Sequence, residues 1–209
     1  WRTSGINCMA NRQKSPKLML SSALDDRSIV LVGLMGAGKT CIGQRLASKT
    51  GLSFVDADAE IEAAADCTVE EIFARYGEQA FRDGERRVIA RLLEGPRQVL
   101  ATGGGAFVNP ETRKNVHRDG VSVWLKADLD ILVQRVSRRN DRPLLKNDNP
   151  RATLERLIEQ RYPCYAEADI TVDTGNEPPD STVGKVVDAL NAHAAALTAA
   201  ALTKDNAAQ

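Results

Sequence analysis

The run Ile29–Gly43, "IVLVGLMGAGKTCIG", constrains this chain more than any other feature. Ile29, Val30, Leu31 and Val32 are aliphatic without polar alternation, the pattern of a strand buried on both faces of a parallel sheet. Gly33-Leu34-Met35-Gly36-Ala37-Gly38-Lys39-Thr40 follows, and it fits G-x-x-x-x-G-K-[ST] at each defined position. Such glycines let the backbone turn so that successive N–H groups point at phosphate oxygens. A helix beginning near Thr40 adds its positive end. In this pattern Lys39 reaches the β- and γ-phosphates of a nucleoside triphosphate, and the Thr40 hydroxyl ligates Mg²⁺.

The remainder of the chain alternates strands and helices. Strands are expected at Ser53–Asp58, Gln98 onward, Val121–Lys126 and Asp169–Thr174, making five with the first. Helices are expected at about Thr40–Lys49, Ala59–Ala65, from the Thr68–Glu71 capping box to Gly77, and over Glu78–Leu93. Four more are expected at Pro110–His117, Leu129–Arg138 and Arg151–Arg161, and from about Ser181. The expected fold is therefore α/β, a P-loop three-layer sandwich with a five-stranded parallel sheet and helices on both faces. The charged, proline-containing stretch at about 139–150 is expected to be a mobile lid. Residues 1–27 read as a disordered extension, 28–190 as the folded domain and 191–209 as an Ala-rich tail.

Charge excludes some partners. Lys+Arg and Asp+Glu both number 28, which argues against general binding to nucleic acid or to a membrane surface. No apolar run reads as long enough to span a bilayer. Cys8, Cys41, Cys67 and Cys164 form no C-x-x-C pair and no metal-ligand spacing, so reduced thiols in a cytoplasmic protein are expected. Cys41 reads as a helix residue facing the core.

Further chemistry follows the strand ends, where ligands bind in such sheets. If strand geometry persists through Asp56 and Asp58, both carboxylates point one way. One can serve the metal through a water, while the other accepts a proton from a hydroxyl. Arg82 and Glu85, three apart on a helix, are either a surface ion pair or an arginine aimed by a carboxylate at an anionic substrate. Gly103-Gly104-Gly105 offers backbone N–H groups to an anion or a sugar-like ring. Arg142 belongs either to a solvated charge run or to a closing lid. Arg161 ends a helix and can point into the site.

Taken in order, Gly33–Thr40, "FVDAD" at Phe54–Asp58, "FRDGE" at Phe81–Glu85, the glycine triplet, "RPLL" at Arg142–Leu145 and "RYPCY" at Arg161–Tyr165 resemble the shikimate kinase family. The resemblance covers about Ile29 to Leu190. It implies transfer of phosphate from ATP to the 3-hydroxyl of shikimate with Mg²⁺, by a monomer in the cytoplasm. It also implies roles. Gly36, Ala37, Gly38, Lys39, Thr40 and Cys41 bind the ATP phosphates, and Thr40 ligates Mg²⁺ with Asp56 behind it. Asp58 is the base and holds shikimate hydroxyls, and Arg82 and Arg161 clamp the carboxylate beside Gly103 and Gly104. Lys39 and Arg142 are catalytic, with Arg142 on the lid and Arg138 near adenine. The family's arginine or glutamine after the last strand has no counterpart in Thr174–Pro178. Gluconate kinases are the nearest rival. A GTP switch is disfavoured because Leu125-Lys126-Ala127-Asp128 lacks the first residue of [NT]-K-x-D.

Overall fold

Ser28–Val32 forms strand β1, buried along its whole length, because it lies at the centre of the sheet with helices over both faces. The computed structural model describes residues 19–137 and 149–207, with side chains to 203. The other strands are β2 (Ser53–Asp56), β3 (Gln98–Ala101), β4 (Gly120–Ala127) and β5 (Ile170–Thr174). All pairings are parallel, and the order is β2-β3-β1-β4-β5. The register sets Leu31 beside Ala101 and Val32 beside Trp124, so β1 and β3 end together while β4 runs on to Ala127 beside β5.

The helices are α1 (Lys39–Thr50), α2 (Ala57–Ala65), α3 (Val69–Leu93), α4 (Pro110–Asp119), α5 (Leu129–Val136), α6 (Pro150–Tyr165) and α7 (Pro179–Ala207). Their starts follow the expected signals. Thr68 and Glu71 close a reciprocal capping box on α3, and Asn109 caps α4 with Pro110 in its first turn. The two helices expected around Gly77 are one element that breaks there, at φ 80° and ψ 171°. α1 packs on β2 and β3, α7 on β5 and α1, and α4 on β4.

Several boundaries move. α6 continues to Tyr165 although Pro163 lies inside it. Tyr162 and Tyr165 anchor its last turn, donating to the carbonyls of Ala127 (2.6 Å) and Gly104. Arg161 is thus inside the helix rather than at its end. The folded body also starts before residue 28. Leu24, in a 3-10 turn over Ser22–Leu24, is only 1% exposed, and Asn191 bonds the backbone of Met19 and Ser21. α7 runs unbroken past residue 191, burying Ala194.

The expectation of no span-length apolar run also needs correction. Pro179–Thr203, 25 residues at mean hydropathy 1.3, is long and apolar enough by length and composition. Val183, Val186, Val187 and Leu190 are nevertheless buried within the sandwich, so the first half of α7 is a core helix.

Candidate active site

The phosphate cradle is built from backbone. Gly33 and Gly36 take φ of 133° and 84°, in the left-handed region that side chains avoid. A Cβ on Gly33 would sit 2.7 Å from the Leu125 carbonyl oxygen, so the loop passes against β4 at a distance only glycine permits. Gly38 precedes α1, whose N-terminus opens on the cleft with no side-chain cap. Lys39 is buried and donates through Nζ to the carbonyls of Gly33 (2.8 Å) and Leu34 (3.1 Å), which hold its ammonium over the loop.

A cleft of about 370 Å³ lies over this cradle. It is bordered by Gly36, Ala37, Gly38, Lys39, Thr40 and Cys41 on the loop side, all six of them expected phosphate-binding residues. Asp56, Asp58 and Gly104 also line it. The two aspartates do not share a strand. Asp56 ends β2 and caps α2, its Oδ1 accepting from the Asp58 N–H at 3.1 Å, while Asp58 lies in the first helical turn. The cap bends the chain at this point, so both residues reach the cleft by a different geometry from the one expected. Asp56 Oδ2 accepts from the Thr40 hydroxyl at 2.9 Å.

Cys41 departs from expectation more plainly. It is exposed at the cleft, whereas the core face of α1 is Ile42, Gly43, Leu46 and Ala47. Helical phase places residue 41 off that stripe.

The second half of the site is made of side chains from distant elements. Arg82 and Glu85 of α3 pair at 2.8 Å, with the Glu85 side chain only 3% exposed, so this is an inward ion pair and not a surface one. Glu78 accepts from the other side of the Arg82 guanidinium at 3.1 Å. Burial pushes the Glu85 carboxyl above its usual range against the pull of Arg82, and Asp58 adds to the push. Arg161 of α6 donates to the Gly104 carbonyl at 2.9 Å.

The three glycines are where these groups meet. A Cβ on Gly103 would collide with Glu85 Oε1 and lie 2.7 Å from Asp58 Oδ1; one on Gly105 would lie 2.6 Å from Arg82 Cζ. At Gly104 it would lie 3.6 Å from Arg161 Nη1 and 3.4 Å from the Met35 backbone nitrogen. The triplet therefore joins the acidic and basic side chains to the P-loop. Behind it, burial pushes the Tyr162 hydroxyl up to about 12 and Tyr165 higher, so both stay neutral donors to backbone carbonyls.

Arg138 and Arg142 lie outside the described residues. Arg135 is the arginine found at the nucleotide side. From the last turn of α5 it donates to the carbonyls of Gly36 and Ala37, each at 3.2 Å, and to Gly175 beyond β5. In the sequence the charged run that follows hides it, and no local pattern marks it; its neighbour Val136 packs against Gly36. Thr102, Thr174, Glu177 and Thr182, also missed, complete that side of the cleft. Glu177 stands where the expected arginine or glutamine was sought. It accepts from the Gly175 N–H (2.8 Å), Thr182 and Lys185, and these bonds, that of Lys185 foremost, lower its carboxyl to about 2. Among the described residues no cluster of three His, Cys, Asp or Glu groups could hold a metal by itself.

A five-stranded parallel sheet in 2-3-1-4-5 order, a complete phosphate loop opening on a cleft, and two arginines, Arg82 and Arg161, set against the neighbouring glycine triplet define a P-loop small-molecule kinase. The family model described as "Shikimate kinase" matches residues 35–191. A shikimate kinase of Paramagnetospirillum magneticum is 59% identical over 164 residues, 78% of this chain and 84% of the relative. Among solved structures, a shikimate kinase from Acinetobacter baumannii in complex with shikimate superposes with TM-score 0.75 at 37% identity, covering 78% of this chain and 93% of that one. A gluconokinase from Sinorhizobium meliloti reaches TM-score 0.57 at 19% identity over 83% and 97%, which is a likeness of fold alone. The chain belongs to the shikimate kinase family, and it is an ATP-dependent kinase.

Proposed function

We propose that this chain transfers the γ-phosphoryl group of ATP to the 3-hydroxyl of shikimate, giving shikimate 3-phosphate and ADP in aromatic amino-acid biosynthesis. The observation that carries the reading is the convergence of Asp58, Arg82, Glu85 and Arg161 on Gly103–Gly105, next to the P-loop. Two guanidinium groups suit a carboxylate, and Asp58 suits a ring hydroxyl. Phosphoryl transfer asks mainly for positioning and charge neutralisation. Arg82 and Arg161 fix the acid end, Gly103 and Gly104 line the ring, and Asp58 accepts the proton of the attacking hydroxyl. Alignment of this kind is worth about 7–11 kcal/mol of barrier in favourable cases.

On the donor side, Gly36–Cys41 bind the phosphates and Lys39 neutralises the group in transit. Arg142 and Arg138 lie outside the described residues; by family resemblance the first would neutralise phosphate charge and the second would serve the adenine. Arg135 braces the loop through its three carbonyl contacts. Thr40 and Asp56 fit Mg²⁺, because a hydroxyl and a carboxylate 2.9 Å apart are hard oxygen donors. Thr40 would hold the ion, with Asp56 orienting its water. When bound, Mg²⁺ neutralises charge on the β- and γ-oxygens.

The expected setting is a monomer in the cytoplasm, where the thiols of Cys41, Cys67 and Cys164, free in this structure, stay reduced. Gluconate is the competing acceptor, since the fold is shared. ADP release coupled to an indicator enzyme tests the choice: turnover is expected with shikimate and absent with gluconate. The reverse result overturns the assignment.

A further inference from the structure

Glu85 is a buried carboxylate whose ionised form is only half satisfied. Oε2 accepts from Arg82 at 2.8 Å, but Oε1 is buried with no hydrogen-bond partner. An ionised carboxylate in such a place is costly. The charged groups that face it come from three elements: Arg82 on its own helix, Asp58 from α2 and Arg161 from α6. Glu78 competes for the far side of the Arg82 guanidinium. Oε1 and Asp58 Oδ1 both border the position a Gly103 side chain would take, so the two carboxylates flank one glycine on the substrate side.

Arg82 and Arg161 already face Glu85 and Asp58, and the exposed Glu78 draws on Arg82 as well. An arriving carboxylate adds negative charge where burial already disfavours ionised Glu85. It also competes with Glu85 for Arg82. Neutralising Glu85 relieves that excess. Glu85 suits this role because it is buried, it has an unpaired oxygen, and it loses its counter-ion to the ligand.

We propose that Glu85 takes up one proton from solvent when the substrate carboxylate docks on Arg82 and Arg161, so that acid binding and protonation are linked. A buffer acid gives up the proton, an O–H bond forms on the Glu85 carboxyl, and no other bond changes. Protonated Glu85 releases Arg82 to the ligand and becomes a hydrogen-bond donor between Gly103 and Asp58. Glu85 is thus a positioning residue, acting through Arg82. The inference rests on the acid-binding role of that arginine.

Calorimetric titration of shikimate into the full chain tests it, at one pH in two buffers of different ionisation heat. The wild type is expected to take up close to one proton per acid bound. Its affinity should weaken by up to about tenfold per pH unit above the free-state pKa of Glu85. Glu85→Gln, which cannot ionise, should bind without uptake and with a flat pH profile. Asp58→Asn should keep the uptake. Binding by the wild type without uptake overturns the proposal, as does uptake that survives in Glu85→Gln. Failure of the wild type to bind shikimate at all overturns the acid-site reading itself, a separate result.

Discussion

The two halves of the cleft are made by opposite strategies. The phosphate cradle is local: eight consecutive residues, Gly33–Thr40, position backbone N–H groups, and the key lysine bonds carbonyls five and six residues away. The proposed acid-binding wall is dispersed: Asp58, Arg82, Gly103–Gly105 and Arg161 come from α2, α3, the β3 exit and α6, and the Arg161–Gly104 bond spans 57 residues. A triphosphate is bound by a motif that tolerates any matching fold. On the proposed reading, the acceptor is chosen by side chains that the tertiary fold brings together from separate elements. Donor and acceptor recognition should therefore be separable by mutation.

Lys39→Met gives the largest expected effect. Removing a charge that neutralises the transferring group should lower kcat by at least about 100-fold, with shikimate binding retained, as steady-state kinetics and calorimetry would record. Comparable loss of shikimate binding would show that the halves are not separable. Arg82→Lys or Arg161→Lys keeps charge but loses the fork. Each should raise KM for shikimate by about 10- to 100-fold with KM for ATP unchanged, since charge-assisted hydrogen bonds contribute about 1.5–3 kcal/mol. Equal shifts in both KM values would break the comparison.

Arg135→Ala sharpens it from the donor side. Its carbonyl contacts brace the P-loop and hold the Gly175 backbone, so KM for ATP should rise by about threefold to tenfold while KM for shikimate stays put. The smallest effect concerns Glu177, whose carboxyl is held at about 2 by Lys185 and its other partners. A carboxyl lowered on folding stabilises above its unfolded pKa, and that contribution fades as pH falls through the folded value. The unfolding midpoint of the wild type should therefore fall between about pH 4.5 and 2 by slightly more than that of Glu177→Gln. The group is solvent-facing, and screening keeps the difference small.

The same contrast explains what the sequence disclosed. The P-loop, the β1 run, the Thr68–Glu71 box and the Asn109 cap are all encoded within a few neighbouring residues, and they stand as read. The five strands and their parallel alternation follow from patterning on the same scale. Errors came where a tertiary neighbour decides. Asp58 is a local exception, leaving strand geometry because Asp56, the last strand residue, caps α2, whereas Cys41 turns outward because α1 buries a different stripe. α6 carries Pro163 because two tyrosines anchor its end to β4 and the glycine triplet. Arg135 looked like an ordinary helix charge, since the carbonyls it meets lie about forty and one hundred residues away. The resemblance to a family brought Arg82 and Arg161 together before any spacing rule could have done so.

The most direct test of this account is a crystal structure of the protein with shikimate. The account places the carboxylate within hydrogen-bond distance of both Arg82 and Arg161, with a ring hydroxyl facing Asp58 and open toward the P-loop. A ligand seated away from those arginines, or with no hydroxyl turned to Asp58, would contradict it.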